Sequence, residues 1–298
     1  MMKFADFWSF PGAGAAFTAL AFVAALAGCS TTAGRGGAGQ PEAGVPELVT
    51  FMSGDLTLKA LLWKPPGPGP FPAVVFNHGS ERSHDTHFAL IGPMFARAGF
   101  VFFAPYRRGQ GLSADQGTWV LDTLSRVAQE QGMIERGKKA VELLKTEQLN
   151  DALAALARLQ GMPSVDRSRI AIMGNSFGGV LTMQMAERGG GIRAAVNMAG
   201  AALNWKRSPE FKQWMFDMAR NAQVPVFFIQ AENDQDTGPS RELSAEMRRL
   251  GKPNRMRIFP PFGKTAEDGH SFGYLGSQLW GPDVIAFLRE TMGQGEPR

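Results

Sequence analysis

The chain has 298 residues, 44% hydrophobic and 19% charged. That usage fits one large α/β domain with an appendage and excludes wholesale disorder, collagen-like repeats and a polytopic membrane protein. Net charge is +4, yet the 31 Lys and Arg are scattered, with the densest pairs at Arg107-Arg108, Lys138-Lys139 and Arg248-Arg249; without a basic stripe, nucleic acid is not an expected partner. The single cysteine, Cys29, rules out an internal disulfide, a zinc-finger framework and a thiol nucleophile in any domain downstream.

That cysteine closes a distinct N-terminal segment. Lys3 precedes an uncharged stretch from Ala13 to Ala27 that ends in Leu26-Ala27-Gly28-Cys29. The stretch is short for a membrane span of roughly 20 residues and suits the apolar region of a signal peptide. It resembles a bacterial lipoprotein signal peptide, which implies removal of residues 1–28, lipidation of Cys29 and anchoring to a membrane of the cell envelope. Ser30 stands where an Asp would imply inner-membrane retention, so the resemblance implies the outer membrane, facing the periplasm. Residues 29–46 read as a flexible tether, since seven Gly or Pro fall within 30–46 and no apolar period does. Gly34, Gly36 and Gly39 have G-x-G-x-x-G spacing but follow no strand and open no helix. Gly263-Lys264-Thr265 looks like the end of a P-loop, but Ile258 stands where its first glycine is required. No nucleotide site is expected, and no repeat appears.

From residue 47 to 298 the punctuation is that of one folded domain. Leu48 to Met52 and Leu56 to Trp63 flank Ser53-Gly54-Asp55, a hairpin signal. Short apolar runs follow at Ala73 to Phe76, Phe100 to Ala104, Ile170 to Met173, Ala194 to Asn197, Val224 to Ile229 and Arg255 to Phe259. Runs of this kind fit strands buried on both faces of a parallel sheet. Helical spacing lies between them, as in Leu149, Leu153, Leu156 and Leu159, or Leu243, Met247 and Leu250. The pattern predicts a doubly wound, mostly parallel α/β sheet with an antiparallel N-terminal edge. Residues 113–148 read as largely helical, either a cap over the carboxyl edge of the sheet or a longer crossover. The 15 Met and 22 Phe read as core filling.

The chemistry concentrates at Gly174-Asn175-Ser176-Phe177-Gly178-Gly179, directly after a predicted strand and before the helical Val180 to Ala186. A serine on so sharp a strand-to-helix turn has its hydroxyl thrust above the sheet edge, and small neighbours let the backbone make the turn. Two polar loops at later carboxyl ends carry partners. The first contains Asp234, with Asp236 as its rival; the second contains His270. A serine is activated by a neighbouring imidazole, which in turn needs a carboxylate to orient it and offset its charge. His78 follows an early strand in Asn77-His78-Gly79-Ser80, and His84-Asp85-Thr86-His87 reads as an exposed loop rather than a metal site. No metal or cofactor is expected.

The order Ser176, Asp234, His270 resembles that of an α/β-hydrolase, and the chain is similar to the dienelactone hydrolase and prolyl-oligopeptidase-like group over about residues 46 to 292. The resemblance implies that the backbone N–H groups of Phe177 and Ser80 form the oxyanion hole and that His78 is structural. Arg107-Arg108-Gly109-Gln110-Gly111-Leu112-Ser113 resembles the group's Arg-Gly-x-Gly-x-Ser segment, whose arginines more often pin loops than bind substrate. Trp280-Gly281-Pro282-Asp283-Val284 resembles its terminal helix. Serine where true dienelactone hydrolases have cysteine turns the expected substrate toward other carboxylic esters, cleaved through an acyl-enzyme on Ser176. The alternatives are a small serine peptidase, for which 298 residues leave no room for a gating propeller, and an envelope-tethered, catalytically inactive binding protein. The expected partner is a small ester or a short peptide.

Overall fold

The turn at Gly54, with φ of +56°, takes a conformation that favours glycine and joins β1 (Glu47–Ser53) to β2 (Leu56–Trp63) as the expected antiparallel pair. The computed structural model describes residues 44–293. Cys29, the leader 1–28 and the glycines at 34, 36 and 39 lie outside the described residues. Among the described residues no helix is long and apolar enough to cross a membrane.

The later apolar runs form β3 (Phe71–Asn77), β4 (Val101–Pro105), β5 (Val165–Asn175), β6 (Ala194–Met198), β7 (Val226–Ala231) and β8 (Asn254–Phe259). The strand order is β1-β2-β4-β3-β5-β6-β7-β8. Every pairing from β4 to β8 is parallel, and β2 joins β4 antiparallel. β5 begins earlier than its apolar run, with the polar Asp166 to Arg169 between; Phe71 pairs Val165, and the register slips before Ala73 pairs Ile170.

Side chains alternate across each strand; the central strands are buried on both faces, whereas the edge strands β1 and β8 leave much of their length exposed or half-exposed. Ala73, Val75, Phe103, Ile172 and Phe228 face one apolar cluster; Val74, Phe76, Phe102, Met173 and Ile229 face another. The first cluster is closed by α2 (Val120–Gln131), α3 (Met133–Lys145), α4 (Glu147–Gln160), α5 (Phe177–Arg188), α6 (Pro209–Asn221) and α7 (Gly238–Arg249). The second is closed by α1 (Asp85–Arg97) and α10 (Ser277–Thr291), with α8 (Ala266–His270) and α9 (Phe272–Leu275) between β8 and α10. Helices on both faces of a mostly parallel sheet are the predicted α/β-hydrolase architecture. Phe76, Phe88, Phe95, Phe102 and Phe103 are all fully buried and fill the core.

Residues 113–148 run through a loop to Trp119, then α2 and α3, and end in the first two residues of α4. Leu124, Ala140, Leu143 and Leu144 join the same cluster as Val75 and Phe103. The entry to α2 touches the loop after β3, where Trp119 Nε1 donates to the Ser80 carbonyl at 2.9 Å. The expectation for His84 to His87 is corrected: Asp85 opens α1, and His84 is 1% exposed. Its ring stacks on Tyr274, from the far end of the chain, at 4.9 Å.

Candidate active site

Ser176 sits between β5 and α5 with φ of 56° and ψ of −118°, a backbone that non-glycine residues hold only under strain. The surroundings that enforce it begin with glycines. A Cβ on Gly178 would come 1.8 Å from the Asn77 carbonyl oxygen, and one on Gly174 would come 2.4 Å from that of Gly178. The Ser176 N–H donates to the Met198 carbonyl of the adjacent strand at 2.9 Å, fixing the turn to the sheet.

Three of the sequence-predicted residues meet in one hydrogen-bonded chain. His270 Nε2 lies 2.8 Å from Ser176 Oγ, and Nδ1 lies 2.8 Å from Asp234 Oδ1. With a carboxylate at Nδ1 that nitrogen carries the proton, which leaves Nε2 to accept from the hydroxyl. Burial alone would lower the His270 pKa, but the hydrogen bond and the charge of Asp234 outweigh it, and the net shift is upward. Asp234 Oδ1 also accepts the Gln235 N–H at 2.6 Å, and Oδ2 accepts Gln230 Nε2 at 2.8 Å. Asp236 has other partners: Oδ1 accepts the Gly238 N–H at 2.8 Å, and Oδ2 lies 3.2 Å from Lys206 Nζ.

Phe177 heads α5 directly after Ser176, and Ser80 lies on the loop after β3, both at carboxyl ends of sheet strands. The loop is pinned by Arg107, which is 2% exposed. Its Nη1 donates to the His78 carbonyl at 2.8 Å, its Nη2 to the Gly79 carbonyl at 2.6 Å and its Nε to Gln148 at 2.9 Å. Burial pushes its pKa down to about 10, so it stays charged at neutral pH. His78 donates from Nδ1 to the Gly79 carbonyl at 2.9 Å and accepts the Arg107 N–H at Nε2, 3.2 Å away. Burial, then the Arg107 charge, hold it well below its usual pKa; it is a neutral structural residue. Arg108 anchors a neighbouring loop through Asp151, from its N–H, Nε and Nη2. No group of three or more His, Cys, Asp or Glu arranged to hold a metal occurs among the described residues.

Two side chains at the site escape sequence reasoning. Gln230 orients Asp234 and is itself fixed by Ser240 Oγ, which donates to its Oε1 at 2.7 Å. Its signal is a glutamine near the end of an otherwise apolar buried strand. Tyr274, four residues after His270, accepts the Gly79 N–H at 2.6 Å. No local pattern points to it.

Comparison with known proteins bears on the family and the fold. The uncharacterized peptidase YtmA of Bacillus subtilis is 27% identical over 244 residues, covering 72% of this chain and 84% of that protein. The esterase EstD of Thermotoga maritima is 32% identical over 142 residues, 47% of this chain and 30% of its own length. Among solved structures, the acylaminoacyl peptidase of Pyrococcus horikoshii superposes with a TM-score of 0.59 at 21% identity over 85% of this chain. This chain spans 43% of that one, and the likeness is one of fold. Residues 58–274 match the dienelactone hydrolase family, and the chain belongs to that family of α/β-hydrolases.

Proposed function

We propose that the protein is a serine hydrolase of carboxylic esters that works through an acyl-enzyme on Ser176. The observation that carries this reading is the buried chain from Asp234 through His270 to the strained Ser176, with 2.8 Å at each link. His270 Nε2 takes the hydroxyl proton as Ser176 Oγ bonds to the ester carbonyl carbon. The carbonyl electron pair moves onto oxygen, where the N–H groups of Phe177 and Ser80 receive it. Asp234 holds the imidazolium in place. Collapse of the tetrahedral adduct expels the alkoxide, which takes the proton from His270 and leaves as an alcohol. Water then loses a proton to His270 and attacks the acyl carbon, and Ser176 recovers its proton as the acid departs. Every proton transfer has a residue of this chain to perform it, and no step draws on a metal or cofactor.

Similarity to a named esterase supports the ester reading. Similarity to the peptidase YtmA over most of both chains supports a second reading in which the same residues cleave a short peptide. A panel of esters and peptidyl amides, with acyl length varied, separates the two: amide turnover above ester turnover would favour the peptidase. Ser176→Ala should lose roughly 10³-fold or more in kcat on an activated ester. Unlabelled Ser176 after fluorophosphonate treatment, with no turnover of any substrate, would favour an inactive binding protein instead.

We further propose that the enzyme is held in the bacterial envelope by lipid on Cys29, at the outer membrane and facing the periplasm. Mass spectrometry of membrane-extracted protein should find Cys29 diacylglycerated at a new N-terminus; unmodified Cys29 in a soluble fraction would overturn this.

A further inference from the structure

We propose that Tyr274 is a positioning residue: its hydroxyl fixes the Gly79 peptide and so aims the Ser80 N–H at the oxygen of the tetrahedral intermediate. This rests on the serine-hydrolase reading and deepens it.

The argument begins with two consecutive peptide planes. The first carries the His78 carbonyl and the Gly79 N–H; the second carries the Gly79 carbonyl and the Ser80 N–H. A trans peptide is planar, with its C=O and N–H pointing opposite ways. The first plane is held at both ends, by Arg107 Nη1 on the His78 carbonyl at 2.8 Å and by the Tyr274 hydroxyl on the Gly79 N–H at 2.6 Å. The second is held at its carbonyl by Arg107 Nη2 at 2.6 Å and His78 Nδ1 at 2.9 Å. With both planes fixed, the dihedrals of Gly79 are fixed, and so is the direction of the Ser80 N–H. Glycine is the residue that most needs such external holding, because its own sterics impose the least. It is also the residue that permits it: a Cβ on Gly79 would come 3.0 Å from the Tyr274 hydroxyl and 2.3 Å from Glu81 Oε2.

Tyr274 is itself clamped. Its ring stacks on His84 at 4.9 Å and on His87 at 4.7 Å, with Phe76 at 5.8 Å. That gives the histidine pair after β3 a role as walls for the tyrosine. Burial, then the negative charge of Glu81, push the Tyr274 hydroxyl well above its usual pKa, so it stays neutral while its oxygen accepts. The coupling to the rest of the site is covalent. Tyr274 and His270 belong to one short segment, and that segment approaches the nucleophile turn closely. A Cβ on Gly273 would lie 2.1 Å from Asn175 Oδ1, beside Ser176. One segment therefore carries both the base and the residue that sets the oxyanion loop.

The test is Tyr274→Phe, which keeps the stacked ring and deletes the hydroxyl alone. With the Gly79 N–H released, kcat on an activated ester should fall roughly tenfold or more while KM stays within about twofold, because a misaimed donor is felt in the transition state and not in substrate binding. Inhibition by a phenylboronic acid reads the same donor. Boron bonds to Ser176 Oγ, the hydroxyl proton passes to His270, and the boron becomes a tetrahedral anion. Its Ki should rise by the factor lost from kcat. His87→Leu, at a half-buried position, removes one wall and keeps the hydroxyl; it should lower kcat about threefold with a parallel rise in Ki. Wild-type kcat in Tyr274→Phe, or a loss carried by KM with boronate affinity unchanged, would overturn the proposal. So would an unchanged His87→Leu if Tyr274→Phe yields no folded protein. Ser176→Ala is measured alongside: turnover surviving there sinks the hydrolase reading, whereas a dead Ser176→Ala beside a normal Tyr274→Phe sinks only the role of Tyr274.

Discussion

Gln230 Nε2 donates both to Asp234 Oδ2, at 2.8 Å, and to the Asp236 carbonyl, at 2.6 Å. One buried amide thus fixes the carboxylate that faces His270 and turns the chain so that the second aspartate faces away. Asp236 spends its side chain on the Gly238 N–H and on Lys206. Asp234→Asn should therefore lose roughly 10⁴-fold in kcat, because an amide cannot favour the tautomer that leaves Nε2 free to accept. Asp236→Asn should stay within about threefold of wild type. Parallel kcat measurements on one activated ester decide the matter, and a larger loss at Asp236 would reverse the assignment.

Strain at Ser176 predicts that activity and stability part company there. Gly and Ala at this position both delete the hydroxyl and its bond to His270, so the difference between them isolates the backbone. With φ at 56° and ψ at −118°, Ser176→Gly should be more stable than Ser176→Ala by about 1 to 3 kcal/mol. Both should be inactive. Urea unfolding of the two variants measures the gap, and equal stabilities would mean that the turn relaxes once the serine is gone.

β3, β4, β6 and β7 are legible in the sequence because each is buried on both faces and reads as a largely apolar run, and β1 and β2 because the glycine turn between them marks a hairpin. The start of β5 is not, because the polar Asp166 to Arg169 separates Val165 from the apolar run and the pairing of Val165 with Phe71 is set by the neighbouring strand. Ser176 is legible because its turn needs small residues at fixed offsets, and Asp234 and His270 because each follows a strand. The burial of His84 is invisible locally. What covers it is Tyr274, whose bond to Gly79 spans 195 residues, and no periodicity encodes a contact between a loop and a distant short helix. Gln230 is half legible: its position ends an apolar run, but only the fold aims its amide at Asp234.

The pH dependence of turnover follows from the one group that must be neutral for attack to begin. The folded pKa of His270 is raised, Asp234 outweighing burial, so the protonated and inactive form persists above about pH 6.5, the ordinary histidine value. Activity should rise with pH along a single acid limb whose midpoint lies above that value, then stay level until substrate or fold fails. Asp234→Asn should move the midpoint of its residual activity downward, since the group that raises the pKa is gone. A pH profile of kcat/KM for the two enzymes checks this; coincident midpoints would contradict it.

Stability in acid should depend on His84 with the opposite sign. Its folded pKa is lowered to about 3, by burial first and by the Arg107 charge second. A hydrogen bond with the Glu81 backbone opposes this without reversing it, and Nε2 lies 3.4 Å from Glu81 Oε2. Above about pH 6.5 the histidine is neutral in both the folded and the unfolded chain and has no effect on the balance between them. Between that pH and about 3 the unfolded chain binds a proton that the folded protein refuses, so stability is lost as pH falls, at about 1.4 kcal/mol per unit for one such group. Below about 3 both states are protonated and the loss stops growing. His78, lowered in the same direction, adds a second contribution of this kind. His84→Phe keeps an aromatic ring against Tyr274 and removes one titration. The free energy of unfolding in urea, measured at pH 7, 6, 5 and 4, should therefore fall less steeply in the variant, by about 1.4 kcal/mol per unit below pH 6. Groups remote from His84 cancel in the difference, and the relief of His78, whose pKa His84 also lowers, acts in the same direction. Parallel curves for wild type and variant would show that His84 takes up its proton in the folded state as readily as in the unfolded one.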